Sequence, residues 1–284
     1  MANQRKVAIL GFGPTAVFVA RAAFDAGCEV TIFGKDDKMG TPPGAFWLHW
    51  VPDTIQAPLE PEKIIIHSSG KEEWYTQRQW MHAAPKFVWG ELSSSFPEAP
   101  VAEFGYSPAA TLSTILPPYK MQYTTSMLDR EAIQQIAPQF DATFQTFPEK
   151  AHFEYQPQLL PFVAAAAPVS MLGPVYNEDN MGNRVYYNGT PQMEDVLVRE
   201  AILFGMHYLE FGKGCSIDYV HQPLRAERID ISKYQWVTLK DLHPHSIPME
   251  HDMKTVHLVG RMAMWDRKFL SHDAYEFTRA VLDA

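Results

Sequence analysis

The clearest hydrophobic pattern lies at the front of the chain. Val7-Ala8-Ile9-Leu10 is a continuous apolar run of strand length, and Gly11-Phe12-Gly13-Pro14 interrupts it. Apolar residues then recur at helical spacing from Val17 to Ala26, until Gly27 stops them. A second apolar run, Val30-Thr31-Ile32-Phe33, follows. Strand, glycine turn, helix and strand in this order predict a βαβ unit. At the other end, Thr255-Val256-His257-Leu258-Val259 reads as a buried strand leading into Gly260-Arg261. A last helix is expected to begin near Ser271-His272-Asp273, with Ser271 as N-cap, Asp273 in the first turn, and Tyr275, Thr278, Val281 and Leu282 inward.

Between these ends the pattern is broken. Ile64-Ile65-Ile66-His67 and Glu73-Trp74-Tyr75 read as short strands, and residues 90 to 118, rich in Pro, Ser and Gly, as extended cap or loop. A helix is expected from about Asp129 to Ile136, ended by Pro138. The run from Phe140 to Phe147 reads as a strand closed by Pro148, and Val185-Tyr186-Tyr187 as a strand entering a turn at Asn188-Gly189. Residues 151 to 175, including Ala164 to Ala167, fit no single element. Met193, Val196, Leu197, Ala201 and Phe204 fit helical spacing, while a turn of helix before a strand at His207–Phe211 fits equally.

The first turn carries chemistry. Gly11, Gly13 and Ala16 form G-x-G-x-x-A between a strand and a helix, the context that gives this motif its meaning. Gly11 makes the tight turn, Gly13 lets backbone approach a pyrophosphate, and Ala16 keeps the helix close to the sheet. Pro14 and Thr15 open the helix, whose free N–H groups and partial positive charge suit phosphates. The acidic residue that usually grips the adenosine ribose is replaced by Gly34. Asp36 or Asp37 would have to substitute, or Lys35 would contact a phosphate instead.

Composition narrows the class. With 284 residues, 46% hydrophobic and 20% charged, the chain suits one large α/β domain or two interleaved ones. A net charge of −9 gives no strong sign of nucleic-acid binding. No apolar run approaches the roughly 18 residues of a membrane span. The first strand follows the start with no room for a signal peptide, so a cytoplasmic protein is expected. Cys28 and Cys215 lie far apart outside any C-x-x-C, which removes dithiol chemistry. Asp241-x-His243-x-His245 offers ligand types, but Pro244 and the lack of further spaced ligands leave no metal site expected. The 22 prolines and 13% aromatics fit a loop-rich section of short strands.

Four stretches together resemble the FAD-binding fold of the glutathione-reductase type, in the branch of amine oxidases and UDP-galactopyranose mutases. They are Gly11 to Ala16; Phe140 to Pro148; Val185 to Pro191 with Arg199 and Leu209-Glu210-Phe211; and Val259 to Trp265 with Asp273-Ala274. Small phage-type flavoproteins ending in Gly-Arg…Ser-His-Asp-Ala-Tyr are similar as well.

The resemblance implies an α/β fold. Its Rossmann-like FAD-binding domain is built from residues 1–50 and 240–284, with a strand near 140–148. Residues 51–239 then form mainly an inserted strand-rich cap or substrate domain. The cofactor implied is FAD, held by Gly11, Gly13, Pro14, Thr15, Ala16, Lys35, Gly40, Gly260, Arg261, His272, Asp273 and Ala274. His49 is a candidate proton donor, Tyr187 a hydroxyl donor to substrate and Arg199 an anion clamp. The expected activity is that of an amine-oxidase-type oxidoreductase on an unidentified small molecule or modified nucleotide. The alternatives are a mutase-like redox-neutral flavoenzyme and a non-catalytic dinucleotide-binding protein. No oligomeric state is implied.

Overall fold

The computed structural model describes residues 4–35, 39, 44–55, 59–67, 101–124, 128–147, 160–172, 182–187, 197–211, 217, 230–241, 253, 255–264 and 269–284. Two sheets organise them. The first has five strands in the order β12-β6-β1-β2-β5, formed by β1 (Lys6–Leu10), β2 (Glu29–Gly34), β5 (Lys120–Tyr123), β6 (Ala142–Gln145) and β12 (Val256–Leu258). Each adjacent pair is parallel. Val7, Ala8, Ile9 and Leu10 are all buried, as a strand covered on both faces requires.

One face of this sheet packs against α1 (Pro14–Asp25) and α5 (Asp273–Asp283), with α2 (Pro108–Ile115) joining through Leu112 and Ile115. The other face packs Ala8, Leu10, Phe33 and Val256 against Ile133 and Ala137, at α3 (Arg130–Ile136) and its C-terminal end. The Asp129 side chain caps α3 by accepting from the Ala132 N–H. Strand β5 and helix α2 come from the interior of the chain, and a Lys120–Glu29 ion pair borders β5.

The second sheet has seven strands in the order β11-β7-β10-β9-β8-β3-β4. These are β3 (Glu62–His67), β4 (Val101–Gly105), β7 (Leu160–Pro168), β8 (Asn183–Tyr187), β9 (Leu197–Leu203), β10 (Met206–Phe211) and β11 (Gln235–Asp241). Its pairs are antiparallel except β3 with β8.

Several expectations are corrected here. The stretch left open between a helix and a turn of helix before a strand is the strand β9 over residues 197 to 203, while Met193 and Val196 lie outside the described residues. Phe204 and Gly205, both at positive φ, turn β9 directly into β10. The helical spacing was coincidental, and pairing with β10 on one side and β8 on the other settles the choice. The alanine run from Ala164 to Ala167 lies in β7, where small side chains pack under Leu209 and Phe211. The Pro-rich stretch before residue 118 contains β4 and α2. Helix α5 takes His272 rather than Ser271 as N-cap, with no side-chain cap bond. Asp273 is instead engaged by the Leu270 N–H. The reading of Glu73-Trp74-Tyr75 as a strand lies outside the described residues.

The segment 44–50 joins the two sheets. Ala45 and Trp47 pack into the second sheet's core with Ile64, Val185 and Leu203. Leu48 and Trp50 pack into the core around α1. Leu48 and Tyr106 exchange backbone hydrogen bonds of 3.1 and 2.9 Å, fixing the segment beside the end of β4.

Candidate dinucleotide and substrate site

The carboxyl ends of the parallel strands bring together residues from both ends of the chain. Gly11 ends β1 at φ 99°, and its N–H donates to the Phe33 carbonyl at 2.8 Å. A Cβ there would lie 2.6 Å from Thr146 Oγ1, so β1 and the end of β6 meet too closely for any side chain. Thr146 fixes that approach by donating from both its N–H and its hydroxyl to the Leu10 carbonyl. Beyond β12, Gly260 turns at φ 98° and abuts Thr15.

Between these two turns lies the N-terminus of α1. Gly13 is its N-cap, in extended backbone, and Pro14 follows. Among the described residues no side chain caps this end, and no acidic residue occupies its first turn. The first N–H groups and the positive end of the helix are therefore available to an anion. Ala16 is fully buried against the sheet. Lys35, at the end of β2, is exposed. Gly40 lies outside the described residues. Arg261 opens α4 (Arg261–Met264), directly after Gly260. The donor set fits a pyrophosphate: two close-packed glycine turns and an uncapped helix start.

A second cluster forms where the segment 44–50 meets the start of α5. His49 and His272, both singled out from sequence, bring their rings to 6.3 Å. Trp50 lies 6.4 Å from His272 and 5.5 Å from Tyr275, and Trp47 lies 5.5 Å from His49. Two carboxylates border the histidines. Glu103 stands 4.0 Å from His49 Nδ1, and Asp273 3.5 Å from His272 Nε2. Burial pushes the His49 imidazole below its usual range; Glu103 opposes the shift and His272 adds to it. His49 is therefore neutral near pH 7 and able to accept a proton. Ala274 is fully buried, so it can offer backbone only.

The third group lies on the second sheet. Arg199 on β9 faces Glu210 on β10 and donates to it from Nε at 2.7 Å and from an Nη at 2.6 Å. Glu210 is 1% exposed, and its Oε1 also accepts the Ala45 N–H at 2.9 Å. The guanidinium fork assigned from sequence to an anion is thus engaged by an internal carboxylate. Tyr187 ends β8, its backbone paired in register with Arg199. Tyr208 lies on the Arg199 face of the sheet, and burial raises its phenol above the usual range.

Three residues of this region escaped the sequence reading as individuals: Glu210, Glu103 and Thr146. Glu210 had a usable signal. A carboxylate between Leu209 and Phe211 in an apolar strand must find a buried partner, and Arg199 stands across a two-residue turn. Among the described residues no group of three or more His, Cys, Asp or Glu side chains is placed to hold a metal ion. Asp241 ends β11, while His243 and His245 lie outside the described residues. No described helix is long and apolar enough to cross a membrane.

No family model matches the chain, and no curated protein matches it. Solved structures do. CtdE in complex with FAD aligns with a TM-score of 0.55 at 11% identity, covering 99% of this chain and 84% of that one. A tryptophan 6-halogenase, SttH, from Streptomyces toxytricini gives 0.52 at 11% identity, covering 98% and 70%. An oxidoreductase from Methanosarcina mazei gives 0.50 at 8% identity, covering 98% and 100%. The likeness is one of fold: an α/β chain with a parallel dinucleotide-type sheet and a second, mainly antiparallel sheet.

Proposed function

We propose that this chain is an FAD-binding flavoprotein, and that it works as an oxidoreductase on a small molecule. The observation that carries the reading is the meeting of Gly260 with Thr15 at the uncapped start of α1. Two glycine turns from opposite ends of the chain frame one anion-ready helix terminus, as an extended dinucleotide requires. The FAD bound by CtdE, on the same fold, supports the choice of cofactor.

In this reading Gly11, Gly13, Pro14, Thr15 and Ala16 form the pyrophosphate turn, with Gly260 and Arg261 closing it. Lys35, beside the glycine that replaces the ribose acid, would contact the adenosine half. His272, Asp273 and Ala274, at the start of α5, would hold the flavin half. Bound FAD supplies the electron-accepting chemistry. The chain's own work is to bind, to exclude water and to handle a proton. His49, neutral near pH 7 and beside His272, is the group placed to hold that proton. Tyr187, at the end of β8, is the hydroxyl donor to substrate in this reading.

The amine-oxidase type remains the leading class within this reading. The mutase-like alternative needs Arg199 as a clamp for a nucleotide diphosphate, and the pairing of Arg199 with Glu210 weighs against it. The test is the visible absorption spectrum of the purified protein before and after acid release. Bands near about 370 and 450 nm with FAD in the supernatant support the reading. A colourless protein that takes up no added FAD overturns it.

A further inference from the structure

We propose that Glu210 is a positioning residue: its carboxylate sets where the segment 44–50, which carries His49, stands relative to the second sheet. The geometry is specific. One carboxylate oxygen accepts the Ala45 N–H and an Arg199 Nη, and the other accepts Arg199 Nε. Glu210 is 1% exposed and the Arg199 side chain 11%, so these charged hydrogen bonds are made away from water. Ala45 is fully buried, and the next residues divide between two cores, Trp47 toward one and Leu48 toward the other. Burial alone does not choose the height of a segment shared in this way. A directional bond from a fixed carboxylate does.

The far end of the segment has its own tie, the Leu48–Tyr106 backbone pair. His49 follows that tie directly, and Trp50 packs on Tyr275 of α5. A shift at Ala45 is therefore carried into the ring contacts of His49 with Trp47 and His272. Arg199 steers the Glu210 carboxylate, and Glu210 steers the segment. This casts Arg199 as a strut and leaves the substrate contact to neighbouring groups. Its bearing on flavin chemistry rests on the FAD reading above; the geometry of His49 does not.

The test uses the full chain, labelled at histidine ring carbons, with His49 followed by NMR through a pH titration. Two variants untie the segment. Glu210→Gln keeps one carbonyl acceptor and loses the charge. Arg199→Met with Glu210→Leu replaces the pair by apolar groups and removes the acceptor altogether. Tyr234→Phe, on the opposite face of the same sheet, loosens the sheet without touching the segment.

The expected result is that the double variant, with its far-UV circular dichroism retained, shifts the His49 resonance and moves its midpoint up toward the ordinary imidazole value. Glu210→Gln moves it less, and Tyr234→Phe leaves it in place. FAD affinity falls about tenfold in the double variant. If the double variant fails to fold, Glu210→Gln against Tyr234→Phe decides alone. An unchanged His49 titration in a folded untied variant overturns the proposal, as does an equal shift in Tyr234→Phe. Should the parent protein bind no FAD, the flavin reading fails while the His49 titration still decides the role of Glu210.

Discussion

Gly260 and Thr15 touch. A Cβ built on Gly260 would lie 2.6 Å from Thr15 Cγ2 and 2.9 Å from its Oγ1. The contact joins the turn after the last strand to the first turn of the first helix. Gly260→Ala therefore meets both a left-handed backbone and a steric clash, and should lower stability by about 2 kcal/mol or more. Gly27→Ala is the control, since Gly27 also has positive φ but faces open space. It should cost only about 1 kcal/mol. Urea denaturation of the two variants separates strain from clash, and FAD titration should show a defect in Gly260→Ala alone.

The Arg199–Glu210 pair makes a prediction about order. Arg199→Met leaves a carboxylate buried with its strongest partner gone, and should cost about 3–5 kcal/mol. Adding Glu210→Leu removes the stranded charge, so the double variant should be more stable than Arg199→Met. Chemical denaturation of the three proteins checks the ranking.

Acid should weaken the fold before it unfolds it. Burial lowers the His49 and His257 imidazoles below their usual range. A histidine depressed in the native state binds fewer protons there than in the unfolded chain. Its contribution is present above the unfolded value, near pH 6.5, and is lost as pH falls through the folded value. The thermal midpoint should thus decline from about pH 7 toward pH 5. His49→Gln should flatten that slope, and a slope unchanged in this variant would remove His49 from the account.

On the far face of β10, His207 is fully buried, with Tyr234 at 2.7 Å from Nδ1 and Glu200 at 2.7 Å from Nε2. A carboxylate accepts, so this arrangement fits the tautomer in which His207 Nε2–H donates to Glu200 and Nδ1 accepts a hydrogen bond from the Tyr234 hydroxyl. Tyr234→Phe should cost about 1–2 kcal/mol, and His207→Leu more, because it removes the hydrogen bonds to both Tyr234 and Glu200. Denaturation midpoints decide between this ordering and independent contributions.

The parts of the fold legible in sequence are those whose partners are local or whose burial is complete. β1, α1 and β2 announce themselves because an apolar run, a glycine turn and an amphipathic helix each leave a period in the chain. β12 and its glycine turn do so for the same reason. The strand β9 did not, since Leu197, Ala201 and Phe204 fall at helical spacing while Leu197 to Leu203 shows no strand alternation, and only β10, β8 and the Phe204-Gly205 turn make it a strand. His49 and His272 were visible as residues but not as neighbours. Their meeting depends on α5 packing along α1, with Tyr275 donating to Asp25 at 2.9 Å. Arg199 reads in sequence as a clamp for a substrate anion because its buried partner, Glu210, lies on another strand.

The placement of β12 and α5 also has a consequence for how the protein is made. α1 presents Val17, Phe18, Ala20 and Ala22 to a core that includes Ala274, Tyr275 and Leu282. During synthesis that apolar helix is made well ahead of its cover, since Asp25 and its partner Tyr275 are 250 residues apart. The nascent chain must carry an unshielded greasy surface until those residues follow, and ribosome-bound chains stopped before residue 255 should be captured by hydrophobic holdase chaperones.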